Sequence, residues 1–245
     1  MVILVTGGNR GLGLFLVKES LGRGHKVIAA CRTLSPELEK LRGEYGESLY
    51  IQDMDAGDGG SVEMAAFRVS SGFAHIDVII NNAAILLESK YYGGDPVINL
   101  PLKVYEDTLS VNTMGPIRVL HYFAPLLYKS TNPVIINITS EGAALKPAGS
   151  HYIAYAVSKY ALNMYTQKIR NYYHERKNGA PVKIFMVHPG RMNTVMGTEN
   201  AQIEPELPAA GILNIIEGKT VVDEPDIPFI DFRGNAMPDH YIPSQ

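Results

Sequence analysis

The sequence of 245 residues holds a single cysteine, Cys31. One thiol can neither close an internal disulfide nor supply a multi-cysteine metal site, so a reducing, cytoplasmic setting is expected. The seven histidines show no metal-ligand spacing, and no metal is expected either. A charge surplus is also missing: 22 Lys+Arg against 25 Asp+Glu leave a formal net charge of −3. A chain that grips nucleic acid by its phosphates needs a clustered basic face, so no nucleic-acid partner is expected. Nowhere do about eighteen apolar residues run together, which argues against a membrane-spanning helix. The opening MVILVTGGNRG has no charged leader and its apolar run stops after Val5, so we expect no signal peptide. No Pro/Gly/Ser-rich linker or composition shift divides the chain, and residues 1–245 read as one domain.

What is present is an alternation of short apolar runs with longer amphipathic stretches. Strands are expected at 2–6, 26–31, 48–52, 76–80, 133–139, 182–188 and 228–232. Helices are expected near 11–23, 36–43, 60–71, 103–128, 152–178 and 204–217. Runs such as VIIN and VIINIT are apolar without alternation, the pattern of strands covered on both faces. The fold class is therefore α/β: a Rossmann-type, doubly wound parallel sheet of about seven strands with helices on both faces. Two segments break the rhythm. Residues 86–102 read as a loop too polar and glycine-rich for a regular element, and residues 192–210 as a candidate substrate loop after the sixth strand.

Directly after the first strand stands Thr6-Gly7-Gly8-Asn9-Arg10-Gly11-Leu12-Gly13. Glycines permit a tight turn and close backbone approach to a pyrophosphate, and the following helix offers unpaired N–H groups to phosphates. In a strand–turn–helix context this motif points to a dinucleotide. A carboxylate about 20 residues further on would take the ribose of NAD. Here Cys31-Arg32 stand at that place, with Arg10 as a second cation, which favours a 2′-phosphate and hence NADP(H). Cys31 itself reads as a small buried strand residue.

Tyr155 and Lys159 lie at i and i+4 on one helical face. Spacing alone does not identify a site, because Tyr173 and Lys177 repeat it. That second copy, flanked by His174, Glu175 and Arg176, reads as a solvated helix end. Tyr155 is set apart by its company at the strand ends: Asn81-Asn82-Ala83-Ala84 after the fourth, Thr139-Ser140 after the fifth, and Pro189-Gly190-Arg191-Met192-Asn193-Thr194 after the sixth, with Asn112 in the intervening helix.

Together these motifs resemble the short-chain dehydrogenase/reductase family, along essentially the whole chain. TGGNRGLG matches its T-G-x-x-x-G-x-G, NNAA stands for N-N-A-G, Tyr155/Lys159 match Y-x-x-x-K, and HPGRMNT matches P-G-x-x-x-T. NRGLG, ACR and the segment FIDFRGNAMP resemble the NADP-dependent carbonyl-reductase and C-factor-like branch. The resemblance implies roles. Tyr155 would be the general acid, Ser140 would hydrogen-bond the substrate oxygen, and Lys159 would hold the nicotinamide ribose. Lys159 would also lower the Tyr155 pKa, by roughly three units for a charge about 4 Å away at a dielectric near 20. Asn112 would kink its helix and bind a relay water. Gly7, Asn9, Arg10, Gly11, Leu12, Gly13, Arg32, Pro189 and Gly190 would line the cofactor, with Asp55 at the adenine, Asn81 and Ala83 beside the adenosine, and Thr194 at the carboxamide end. Asn82 is expected to tie neighbouring strands together.

Some features depart from the family pattern. Ser140 precedes Tyr155 by 15 residues, slightly more than usual, and Thr139 or Ser150 could in principle replace it. Glu141 is an unusual charged neighbour at that spot. The apolar and aromatic residues of 103–128 and 152–178 would serve a homodimer or homotetramer interface, as the corresponding helices do in the family. The expected activity is NADPH-dependent reduction of an aldehyde or ketone. Its rivals are a non-catalytic NADP(H)-binding sensor and an NAD-dependent alcohol dehydrogenase.

Overall fold

The computed structural model describes residues 1–91, 95–145, 151–176, 179–194, 196–197, 201–222 and 227–237. The elements in chain order are β1 (Val2–Thr6), α1 (Gly11–Gly22), β2 (Lys26–Cys31), α2 (Pro36–Tyr45), β3 (Leu49–Asp53), α3 (Gly59–Gly72), β4 (Val78–Asn81), a short α4 (Pro96–Asn99), α5 (Leu102–Leu109), α6 (Gly115–Leu127), β5 (Val134–Ile138), α7 (Ile153–Glu175), β6 (Lys183–His188), α8 (Glu206–Ile216) and β7 (Phe229–Asp231). The strands form one sheet in the order β3-β2-β1-β4-β5-β6-β7, and every pairing is parallel. Between β1 and β4 the winding reverses, so the carboxyl ends of these strands flank a crevice where ligands bind in such sheets.

The uninterrupted apolar runs are explained by two cores. Ile3, Val5, Val27, Val78, Ile80 and Ile136 face one side, packed with Leu16 and Val17 of α1 and Ile212 and Leu213 of α8. Leu4, Ile28, Ile79, Ile135 and Ile184 face the other, against Val62, Phe123 and Leu127. Successive residues point to opposite faces of a strand, so a sheet buried on both sides leaves no polar alternation to read.

Two expectations need refinement. The helical stretch expected at 103–128 runs unbroken over 102–127, but a π-helical turn, Ser110–Met114, divides it into α5 and α6. Residues 86–102 are not wholly irregular. A 3₁₀ turn spans Glu88–Tyr91, and α4 is capped by Asp95, whose Oδ1 accepts the Val97 N–H at 2.8 Å. Short local hydrogen bonds, rather than a long apolar face, build these pieces, which is why periodicity did not reveal them. Among the described residues no helix is long and apolar enough to cross a membrane.

Candidate active site

The glycine turn is shaped by backbone geometry. Gly7 and Gly11 have φ of 67° and 52°, a region that L side chains rarely adopt. A Cβ on Gly13 would lie 2.1 Å from the Gly7 carbonyl oxygen and 2.5 Å from Asn82 Nδ2, so only glycine lets α1 approach the turn. Asn82 fastens the same turn to β4, its Nδ2 donating to the Thr6 carbonyl at 2.9 Å, which is the strand-tying role expected of it. At the N-cap of α1, Arg10 carries only donors and makes no side-chain cap, so the first-turn N–H groups of Gly11, Leu12 and Gly13 point outward without one. The Thr194 methyl lies 3.9 Å from where a Cβ on Gly11 would sit, so the segment after Pro189-Gly190 overhangs the turn. These features fit a pyrophosphate.

At the β2 end, Asn9 Nδ2 donates to the Thr33 carbonyl at 2.9 Å and draws the turn beside Arg32. The Arg32 guanidinium is 61% exposed and 3.6 Å from Asp55 Oδ2. Such an exposed pair is worth under about 1 kcal/mol and opens readily for a stronger anion. The other Asp55 oxygen accepts the Gly57 N–H at 2.8 Å. Cys31 is buried in β2, and burial pushes its thiol pKa up. Asn81 differs from expectation. Its side chain is turned into the sheet, donating to Asn137 Oδ1 at 2.8 Å, and its own Oδ1 is buried without a partner among the described residues. Just beyond β4, the Ala83 N–H donates to Thr6 Oγ1 at 3.0 Å.

The chemical end is assembled from side chains. Lys159 is buried, its Nζ donating to the Ile138 carbonyl at 2.8 Å and lying 5.7 Å from the Tyr155 ring centre. Desolvation lowers its pKa to about 8. Tyr155, half-buried, is pushed up to about 12 by desolvation, with a hydrogen bond to Ser140 pulling the other way. The expected shift of Tyr155 toward neutrality is thus reversed: Lys159 points its ammonium at a strand carbonyl, and burial of the phenol dominates. Ser140 Oγ also accepts the Gly142 N–H at 3.2 Å, which sets the turn after β5. Thr139 is withdrawn from competition, since its Oγ1 donates to Asn163 Oδ1 at 2.6 Å. Ser150 lies outside the described residues.

Asn112 sits in the π-turn, and its carboxamide bonds two other segments. Oδ1 accepts the Ile85 N–H at 2.8 Å, while Nδ2 donates to the Ile85 carbonyl at 2.9 Å and to Ser158 Oγ at 3.0 Å. Ser158 Oγ in turn donates to the Tyr155 carbonyl at 2.7 Å. The side chain therefore clamps the β4 loop to α7. The second Tyr/Lys copy is not a solvated helix end: Tyr173 is buried, with its hydroxyl 3.3 Å from that of Tyr128. Its partner Lys177 lies outside the described residues.

Three structural features near the site escaped sequence reasoning. Glu88 binds the first turn of α7. Glu141 Oε1 accepts from Arg191 Nε at 2.6 Å, and its backbone N–H donates to His188 Nδ1 at 3.3 Å. A cavity of about 410 Å³ beside them is lined by Glu141, His188, Arg191, Ile203, Asp231 and Arg233. No local motif marks contacts between residues so far apart in sequence.

A glycine turn under a helix N-terminus and a half-buried Tyr155 beside buried Lys159 on the same carboxyl edge of a parallel sheet define a Rossmann-type oxidoreductase. The family model for short chain dehydrogenases matches residues 1–204, and the chain belongs to that family. The NADP-dependent 3-hydroxy acid dehydrogenase YdfG of Escherichia coli (strain K12) is 27% identical over 203 residues, covering 83% of this chain and 76% of that protein. The short chain dehydrogenase pigC of Monascus ruber is 33% identical, over 83% of this chain and 67% of its own. The crystal structure of an NADPH-bound carbonyl reductase from chicken fatty liver superimposes with a TM-score of 0.83 at 26% identity, covering 96% and 98% of the two chains.

Proposed function

We propose that the protein is an NADPH-dependent reductase of aldehydes or ketones. The observation that carries the reading is the placing of Ser140 beside the Tyr155 phenol, one helical turn from buried Lys159, on the edge where Thr194 overhangs the glycine turn. Bound NADPH supplies the hydride. Tyr155, protonated at neutral pH, donates its hydroxyl proton to the carbonyl oxygen as that oxygen gains charge. Ser140 donates a hydrogen bond to the same oxygen and holds it at the phenol. Lys159 holds the nicotinamide ribose, while Arg32 and Arg10 take the 2′-phosphate. NADP(H) is favoured over NAD(H) because a guanidinium stands where a ribose-binding carboxylate would be, and the relatives include NADP-dependent and NADPH-bound enzymes.

The working unit is read as one domain, with residues 192–210 over the substrate; the described part of that segment already reaches the turn. Val157 and Met164, both exposed and seven residues apart on one face of α7, suit a homodimer contact. A reducing cytoplasm suits the lone, buried Cys31.

The test is initial-rate oxidation of NADPH and NADH against an aldehyde and ketone panel, with Tyr155→Phe in parallel. Turnover with NADPH that disappears in the variant supports the reading. Tight NADPH binding without turnover of any carbonyl overturns it in favour of a cofactor-binding module.

A further inference from the structure

Glu88 belongs to none of the sequence motifs, yet it is an acid only 7% exposed. It lies in the 3₁₀ turn after β4, next to a small apolar cluster of Leu87, Leu100, Val104 and Ala154. Each carboxylate oxygen takes one backbone N–H from the first turn of α7: Oε1 from Ala154 at 2.9 Å and Oε2 from Tyr155 at 2.8 Å. The first N–H groups of any helix lack partners within it, and a short polar side chain at the N-cap normally accepts one. Here the N-cap position holds Tyr152, an aromatic residue with left-handed backbone (φ 58°, ψ 50°). The acceptor therefore arrives from a distant segment, as a carboxylate whose charge also suits the positive end of the helix dipole.

Tyr155 is the third residue of α7, inside the turn most prone to fray. Its carbonyl is held by Ser158 Oγ, itself bonded to Asn112, and its N–H is held by Glu88. Lys159 is anchored separately, through Nζ to the Ile138 carbonyl of β5. The distance from the phenol to Ser140 thus depends on a contact that Lys159 does not share. We propose that Glu88 is a positioning residue for Tyr155, fixing the first turn of α7 so that the hydroxyl meets the substrate oxygen. The inference rests on the reductase reading and deepens it. It also gives residues 86–102 a role, since Glu88 joins this segment to the proton donor.

The experiment compares wild type with Glu88→Gln, which keeps one carbonyl acceptor, and with Glu88→Ala, all well below their melting temperatures. A reacting group misplaced by about 1 Å can lose about 10²-fold in rate. We expect kcat to fall about tenfold in Glu88→Gln and further in Glu88→Ala, with a larger solvent deuterium isotope effect and an NADPH dissociation constant within about twofold of wild type. A purely structural cap would lower the melting temperature and leave kcat and the isotope effect of the folded enzyme unchanged; that result overturns the proposal while reduction itself stands. Amide exchange at residues 153–156 reads the contact without turnover, and at least tenfold faster exchange in Glu88→Ala is expected. Unchanged protection overturns the proposal whatever the enzyme does. A wild type that reduces no carbonyl while its 153–156 amides respond sinks the reductase reading and leaves the tether in place.

Discussion

The glycine turn and the first turn of α7 sit on the same edge of one sheet, but they are held by different means. Residues 7–13 make their shape from their own backbone, two positive φ angles and the contact of Gly13 with the Gly7 carbonyl. Tyr155 is held by Glu88 and Ser158, the latter bonded to Asn112, and faces Ser140, so three stretches besides its own helix converge on it. A cofactor cradle built from backbone needs few particular side chains, and those it needs are close in sequence. A proton donor must be aimed at an atom, and aiming takes supports from several directions.

The sharpest way to separate the two regions is to disable one and watch the other. Tyr155→Phe is expected to lower kcat by about 10³-fold, within the range for removal of a general acid, while NADPH titration by fluorescence stays unchanged. Substantial residual turnover would dismiss the phenol as proton donor. Gly13→Ala should strike the opposite region. With a Cβ at 2.1 Å from a carbonyl oxygen, α1 must move, and a loss of about 3 kcal/mol in denaturant unfolding together with weaker NADPH binding is expected. Native stability with native affinity would mean that the turn can widen freely.

Titration distinguishes the buried pair from the exposed turn. The folded-state pKa of Lys159 is lowered to about 8, so between pH 8 and its unfolded value of 10.5 the unfolded chain binds the extra proton and stability rises with pH. Wild type should gain about 3 kcal/mol across that window relative to Lys159→Met, measured by urea unfolding at a series of pH values. Tyr155 works in the other direction: its folded pKa of about 12 exceeds the usual 10, so its contribution is lost as pH climbs through that interval. A gap between wild type and Lys159→Met that does not vary with pH would show that the ammonium is better solvated than its burial implies. The smallest effect belongs to the cofactor rim. Arg32→Asp should cut the NADPH-to-NADH preference about tenfold, and Arg10→Ala should add to the change. An unaltered ratio of kcat/KM values for the two cofactors would remove both arginines from the 2′ position.

Legibility in the sequence followed the same division. The strands were readable because both faces are buried, and their ends shift by only one or two residues in the structure, as at 76–80 against Val78–Asn81. TGGNRGLG was readable because the chemistry lies in consecutive residues. Tyr155, Lys159 and Ser140 were readable through a resemblance, and the structure brings them to one edge. The turn of the Asn81 carboxamide toward Asn137 was not readable, because strand register is invisible along the chain. Tyr173 was misjudged because its charged neighbours suggested solvent, while Tyr128, at the C-terminal end of α6, stands against it. Glu88 went unnoticed because its partners lie 66 and 67 positions away.

By itself the sequence determined the alternation of elements, the parallel doubly wound sheet and the glycine turn after β1. These rest on local constraints: periodic burial, permitted φ values and residue chemistry within a few positions. The tertiary structure decided the protonation bias of Tyr155 and Lys159, the clamp made by Asn112, the ion pair of Glu141 with Arg191 and the hold of Glu88 on α7. Desolvation and long-range hydrogen bonds exist only once distant segments exclude water together, so no reading of neighbouring residues could have supplied them.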